Sequence, residues 1–600
     1  VPEAARYTRI PHKWTTRPPS TSLVANSLGR RCDHRHLHTL HIDRPSILVL
    51  LYSCPSTHFC AIMAGVVMGK MFFMSWTSAI AALFNAGIHA KGNSLDREAT
   101  ETNEPAGAAA ETEKRILDPS FFQKQSDFIT HLPGLGYDPG FNQYSGYLNV
   151  DEDHGRRIFY WYVESQSSPE HDPLVLWTNG GPGCSGLLGF GAEHGPFLFT
   201  KDGLLSPNPF SWNKVANMLY IEQPSGVGYS YSDTLDDYVT NDANAAADNY
   251  ALIGKFLERF PERRANDFYI SSESYGGHYM PQLTKVILEN NEDGMINFKG
   301  MLVGNPFVDW FTNDLSRIET FYTHGLLSWP HYKKWIHHCH SEKKFFSKKC
   351  AKYEEVLWQE MGNGINPYAV DYPICVEQPS VLQSSPMASA TLGMDGSMTT
   401  VAMKHSTSMI SAQSNNMFRH SVRAKSRQLS GEANPPWLPP QDVYHACAEE
   451  YTVLYLNRPD VMEALHVKAG GEIKWKPCSD NVEYDFDSFA ESQIDLYEDL
   501  MEMLEEHPID IMVFSGDDDA ICSTAGTQKW IWDIGVDPKP SKMWQPWIVQ
   551  NQTAGYVTVF DVDGPGSFTF VTVHGAGHEV PWYRPMEALE MLQRYLKGAW

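Results

Sequence analysis

The sequence predicts an α/β protein with a central mostly parallel sheet, helices on both faces and an inserted helical cap. Three observations carry that expectation. Short apolar runs at 173–177, 218–222, 300–304, 509–514 and 568–573, with another ending at Ser271, alternate with amphipathic stretches at 244–260 and 278–288. Alternation of this kind is the pattern of parallel strands joined by crossover helices. Residues suited to chemistry stand just past the ends of several of these runs, the edge at which open α/β sheets build their sites. After Asn305 the alternation gives way to aromatic- and Lys-rich helical sequence, and 380–440 is Ser/Met/Ala-rich without period. That is the signature of a cap at about 306–450 carrying a disordered excursion. Arg419, Arg423, Lys425 and Arg427 make the excursion a candidate processing site.

Six hundred residues with 42% hydrophobic content can bury a large core. Length alone is satisfied equally by one domain with an insertion or by three small domains. The 47 basic and 72 acidic residues give a net charge of −25. Nucleic acid is a poor partner for that balance, which suits acidic or secreted compartments. Residues 1–62 form an unassigned extension; the first sixty hold eight Lys/Arg against Glu3, Asp33 and Asp43. Cys32, His34, His36 and His38 lie there at alternate spacing without a scaffold, which is weak support for a metal site. From Met63 to Ala90 a short cationic start, an apolar run and small residues describe a secretory signal. The rival is an uncleaved membrane anchor over 61–88, with Lys70 snorkelling. Residues 91–118 are too polar to pack and read as a linker or propeptide, leaving 119–600 as the folded domain.

Within that domain, 144–150 and 156–164 read as a β-hairpin around Asp151-Glu-Asp-His-Gly155. The run at 173–177 leads into Thr178-Asn-Gly-Gly-Pro-Gly-Cys-Ser185, a loop whose bare backbone N–H groups can converge on an anion. An ordinary Gly-Pro turn and a phosphate loop are the alternatives, and the latter lacks a Gly-Lys-Ser/Thr ending. Residues 267–279 read as strand, tight turn and helix. Ser274 sits at the turn with small Ser272 and Gly276 two residues to either side, the nucleophile elbow of the α/β-hydrolase fold. Turn serines commonly bond only their own backbone, so the assignment needs partners downstream. Two strands supply them, ending in Ser515-Gly-Asp-Asp-Asp-Ala520 and in His574-Gly-Ala-Gly-His-Glu-Val-Pro581. The order Ser, Asp, His is that of an α/β-hydrolase triad. Taken singly, the aspartates could bind Ca²⁺ or cap a helix, and His574 or His578 could be structural.

Several stretches together resemble the serine carboxypeptidases, the group of vacuolar carboxypeptidase Y and lysosomal cathepsin A. They include Asn179-Gly-Gly-Pro-Gly-Cys184, Glu193-His-Gly-Pro-Phe197, Gln223-Pro-Ser-Gly-Val-Gly-Tyr229, Glu273-Ser-Tyr-Gly-Gly-His-Tyr279, Gly516-Asp-Asp-Asp519 and Gly575-Ala-Gly-His-Glu-Val-Pro581. By position the resemblance implies Ser274 as nucleophile, His578 as general base, Asp519 as its orienting acid, and the N–H groups of Gly181 and Tyr275 as oxyanion hole. It assigns Asn179, Gly180, Glu193 and Glu273 to the substrate's terminal carboxylate. Ser272 stands where the family usually has Gly, and Gly276 where it usually has Ala. Glu579 replaces the methionine of some members and is a candidate specificity residue. The pairs Cys184/Cys478, Cys339/Cys350 and Cys375/Cys447 follow from the resemblance, which leaves Cys522 free near the site and a candidate target for mercurials. Asn551-Gln-Thr553 is a glycosylation sequon, consistent with the secretory pathway and a vacuolar, lysosomal or secreted destination.

The activity implied is release of carboxyl-terminal residues from peptides and proteins at acid pH, with no cofactor, no metal, no nucleic acid and no stable membrane span unless 61–88 is an anchor. Homodimerisation is compatible with it. The alternatives are an acyltransferase on the same fold and an inactive binding or protective protein.

Overall fold

The computed structural model describes residues 119–345, 347–362, 364–376, 444–468 and 473–600. The extension, the signal or anchor segment, the linker, the excursion at 380–440 and Cys32, Cys54 and Cys60 lie outside the described residues.

Ten strands form one sheet. In chain order they are β1 (Gln143–Asp151), β2 (Arg156–Val163), β3 (Leu174–Thr178), β4 (Asn217–Glu222), β5 (Phe268–Glu273), β6 (Phe298–Gly304), β7 (Asp510–Gly516), β8 (Gln545–Val549), β9 (Gln552–Val559) and β10 (Ser567–Val573). Their spatial order is β1-β2-β4-β3-β5-β6-β7-β10-β9-β8. The six from β4 to β10 in that order are mutually parallel. An antiparallel pair closes each side.

The central strands are continuous apolar runs because helices cover both faces. Along β3, Leu174 and Leu176 enter one core layer while Val175 and Trp177 enter the other; along β7, Ile511 and Val513 oppose Met512 and Phe514 in the same way. Helices α1 (Asp242–Arg259) and α2 (Gly276–Asn290) pack on one face. Asn241 caps α1, its side chain accepting from the N–H of Asn244.

The cap begins with α3 (Trp310–Thr323), α4 (Trp329–Cys339) and α5 (Lys348–Met361), and α6 (Ala448–Leu456) follows the undescribed segment. A third apolar cluster holds it, with Ile318, Phe321, Trp335, Phe345 and Leu357 packed around Ala520. Helices α7 (Thr524–Asp533) and α8 (Pro585–Leu596) complete the main layers. Residues 520–567, which carry no assigned strand or helix signal in the sequence, form α7 and the hairpin β8–β9. The turn of that hairpin uses Gln550 and Asn551 at φ 47° and 62°, a left-handed pair usually signalled by Asn-Gly. Without glycine the signal is weak.

Candidate active site

Ser274 follows β5 directly and precedes α2, with φ 60° in the left-handed region that costs an ordinary residue energy. The surroundings over-determine that conformation. The Ser274 N–H donates to the Gly304 carbonyl at 2.9 Å, and the Ser274 carbonyl accepts from the N–H groups of Gly277 and Phe307 at 2.9 and 2.7 Å. The two departures from the family pattern beside it compensate each other. A Cβ on Gly276 would stand 2.2 Å from Ser272 Oγ, so the hydroxyl at 272 occupies the room that a methyl at 276 would need.

The loop after β3 passes against this turn so closely that only glycine fits. A Cβ on Gly180 would lie 2.4 Å from the Tyr275 nitrogen and 2.9 Å from Ser274 Cβ, and Gly181 adopts φ 117°. The loop is propped by the Gly183 N–H donating to the Tyr279 hydroxyl at 3.2 Å. It is also tied to the second half of the chain by the Cys184–Cys478 disulfide.

The three adjacent aspartates are sorted by different partners. Asp517 meets exposed His574 at 2.7 Å and accepts from the Gly575 N–H. Asp518 accepts from the Asp371 N–H of the cap at 3.1 Å. Asp519 is fully buried and its Oδ2 lies 2.7 Å from His578 Nδ1. The same carboxylate accepts from Asn305 Nδ2 at 2.9 Å and from the N–H groups of Ile521 and Cys522 at 2.6 and 3.1 Å. Burial lowers the pKa of His578, but the charge and hydrogen bond of Asp519, then the charges of Glu579 and Glu193, raise it; Glu579 and Glu193 act only when ionised, so their share of the rise falls away in mild acid, where both keep their protons. The backbone N–H of His578 donates to the Tyr368 carbonyl at 2.7 Å, and the two rings meet edge to face.

Opposite this pair lies a carboxyl cluster. Asn179 Nδ2 donates to Glu273 Oε1 at 2.7 Å and to Glu193 Oε1 at 3.0 Å. Its orientation is set from behind, because Asn179 Oδ1 accepts from Trp177 Nε1 and the Gly189 N–H. Glu193 ends the π-helical turn Gly189–Glu193, a local irregularity that recurs at functional sites. Burial pushes Glu193 up to about 8, with the charge of Glu579 adding to it. Burial, then the charges of Glu193 and Glu579, raise Glu273 well above the carboxylate range. Both carboxyls share Asn179 Nδ2 as donor, and Glu193 Oε2 is buried without a partner.

Glu579 extends the acidic wall. Burial raises its pKa, and its Oε2 is buried without a donor. From α6, Glu449 is pushed up to about 8 by burial and then by Glu450 and Glu579. Glu449, Asn305 and Tyr368 have no assigned role in the sequence, and Trp177 is legible only as the last apolar residue of the strand before the glycine loop.

Disulfides also join Cys339 to Cys350 and Cys375 to Cys447. Among the described residues, the grouping with metal-ligand spacing is Cys375, Cys447 and Glu450, and its sulfurs are bonded to each other. Cys522 is free and buried; burial and the nearby Asp519 charge raise its thiol well above the ordinary range. The thiolate form is therefore disfavoured. Asn551 is exposed at the β8–β9 turn. Among the described residues no helix is long and apolar enough to cross a membrane.

A family model described as serine carboxypeptidase matches residues 133–598. The chain is similar to serine carboxypeptidase-like 26 of Arabidopsis thaliana, 36% identical over 481 residues covering 79% of this chain and 93% of that protein. Serine carboxypeptidase 24 of the same plant is 34% identical over 484 residues, covering 79% and 93%. Among solved structures, Kex1(Δ)p, a prohormone-processing carboxypeptidase from Saccharomyces cerevisiae, superposes with a TM-score of 0.58 at 21% identity, covering 79% of this chain and 96% of that one. That likeness shows a shared fold. With a family model matched across most of its length and relatives above one-third identity, this chain belongs to the serine carboxypeptidase family.

Proposed function

We propose that the protein is a serine-type carboxypeptidase that removes carboxyl-terminal residues from peptides and proteins in mild acid. The observation that carries the reading is the buried Glu193–Asn179–Glu273 cluster beside Ser274. A carboxyl pair that keeps a proton donates hydrogen bonds to a substrate carboxylate, whereas an ionised pair repels it.

In this reading Ser274 attacks the last peptide carbonyl while His578, oriented by Asp519, takes its proton and returns it to the leaving amine. The N–H groups of Gly181 and Tyr275 receive the developing oxyanion. Water then releases the acyl group by the same route in reverse, and no cofactor is needed. Glu579 and Glu449 line the site with carboxyl groups of raised pKa, so any preference for a basic residue at the cleaved bond grows as pH rises and they ionise. The observed disulfides suit an oxidising compartment, in line with the secretory route. Cleavage within 380–440 would leave two chains joined by Cys184–Cys478 and Cys375–Cys447.

Peptide digestion followed by mass spectrometry tests the reading: stepwise loss of carboxyl-terminal residues is expected. Transfer of an acyl group to an alcohol without peptide shortening would assign an acyltransferase. Failure of Ser274 to react with a fluorophosphonate in correctly processed protein would assign an inactive binding protein.

A further inference from the structure

The cap carries a surface whose charge is opposite to that of the molecule. Residues 330–352 hold seven lysines against the single acid Glu342, a local net of +6 in a chain of net −25. Six of the lysines form three Lys-Lys doublets, at 333/334, 343/344 and 348/349, and all six are exposed. None of them makes an ion pair among the described residues; Lys333 lies over the Trp329 ring, itself 54% exposed. Of the three acids that follow on α5, none forms an ion pair with these lysines among the described residues, and Glu355 accepts only from Gln359 at 3.4 Å. Glu354 is engaged by Arg317 at 2.7 Å, and Glu360 faces His331 at 3.1 Å.

The charges are held together by construction. The Cys339–Cys350 disulfide closes the hairpin formed by α4, the short helix Glu342–Phe345 and α5, with Trp335 and Phe345 buried beneath. The lysines are near enough to act on their neighbours, since desolvation and then the charges of Lys349, His337 and Lys344 hold His338 below its ordinary pKa. Mutual repulsion of this kind opposes folding and is relieved when anions bind. The hairpin is also rooted at the candidate active site: its core includes Ala520, next to Asp519, and α3 beneath it contacts α7.

We propose that this hairpin is a docking surface for acidic polypeptides, which it holds while their carboxyl ends enter the site. The choice of a polypeptide over another polyanion rests on the peptidase reading and on the hairpin's root beside Asp519. Three doublets spread over one rigid hairpin match a partner with several spaced carboxylates, whereas a single anion would engage only one doublet.

The test uses peptides of about 20 residues that share one carboxyl-terminal dipeptide, with either an acidic or a neutral upstream stretch, and a blocked dipeptide too short to reach the hairpin. At low salt the acidic peptide is expected to show a kcat/KM about 10-fold above the neutral one. The advantage is expected to vanish near 0.5 M salt, where charges are screened within about 4 Å, and in the variant K333Q/K334Q/K343Q/K344Q/K348Q/K349Q. Lys→Arg at the same six positions should retain it. Unchanged blocked-dipeptide kinetics in both variants show that the fold and the chemistry are intact. Equal rates for the acidic and neutral peptides, or a preference that survives the Lys→Gln changes, would overturn the proposal while leaving the peptidase reading standing.

If the blocked dipeptide is not cleaved at all, the peptidase reading fails independently. Docking is then read by fluorescence anisotropy of the amidated acidic peptide, with loss of binding in the Lys→Gln variant expected. Tighter binding of a sulfated polysaccharide or of anionic vesicles at matched charge would refute the polypeptide assignment.

Discussion

Replacing Glu273 by glutamine tests the carboxyl pair most directly. In the wild type, Glu193 keeps its proton up to about pH 8, and burial with the neighbouring carboxyl charges raises Glu273 well above the carboxylate range. Both pKa values are raised, so the protonated and binding-competent pair is the low-pH form, and it is lost as pH rises through about 8. One unit charge about 4 Å from the substrate carboxylate, at an effective dielectric of about 20, costs about 4 kcal/mol, or roughly 10³ in affinity. KM for a free-carboxyl dipeptide should therefore rise about tenfold per pH unit above pH 8, towards a plateau of that size. An ester or amide with a blocked carboxyl end should show no such rise. Glu273→Gln leaves a neutral amide that donates at every pH but replaces a carboxylic acid donor to a charged acceptor. Such bonds are worth about 1.5–3 kcal/mol, so KM in mild acid should increase roughly ten- to a hundredfold. With one titrating group fewer, the alkaline rise should also be altered. The assay is kcat and KM against pH for both substrates in both proteins. Identical profiles for the two substrates, or an unaltered peptide profile in Glu273→Gln, would refute the reasoning.

The remaining expectations concern the triad, pH and processing. Ser274→Ala or His578→Ala should abolish peptide turnover, and Asp519→Asn should lower kcat by about 10⁴ while leaving a residual rate; near-normal turnover in Asp519→Asn would move the role to Asp517 or Asp518. Glu579, when ionised, raises the pKa of His578, so Glu579→Gln should shift the acid limb of kcat/KM to lower pH and reduce any preference for Lys over Leu at the cleaved bond. An unmoved limb would show that this carboxyl does not act on the imidazole. Asp518 and Glu222 are raised to about 7 and Glu193 to about 8. Between the unfolded carboxyl range and these values the native state binds more protons, so stability falls as pH rises; Tm should drop between about pH 5 and 8, and a flat or rising Tm would contradict it. Deletion of residues 381–433 should leave a folded, active enzyme, with aggregation as the contrary result.

The α/β class is legible in the chain's apolar runs. Parallel strands buried on both faces must be apolar throughout, and the runs at 173–177, 509–514 and 568–573 are legible for that reason. The sequence also marked Ser274 and the loops bearing Asp517 to Asp519 and His574 to His578, because a strand end followed by small or polar residues is a local signal. Which aspartate meets which histidine was decided only by the tertiary structure, since three adjacent carboxylates are equivalent until Asn305, the cap and the β10 loop each take one. The raised carboxyl pair is likewise tertiary. Glu193 and Glu273 are eighty residues apart in the chain, and both pKa values are raised because Asn179, fixed by Trp177, holds the two carboxyls together in a buried space. Burial and proximity are properties of packing, so neither pKa is written in the residues that bear it.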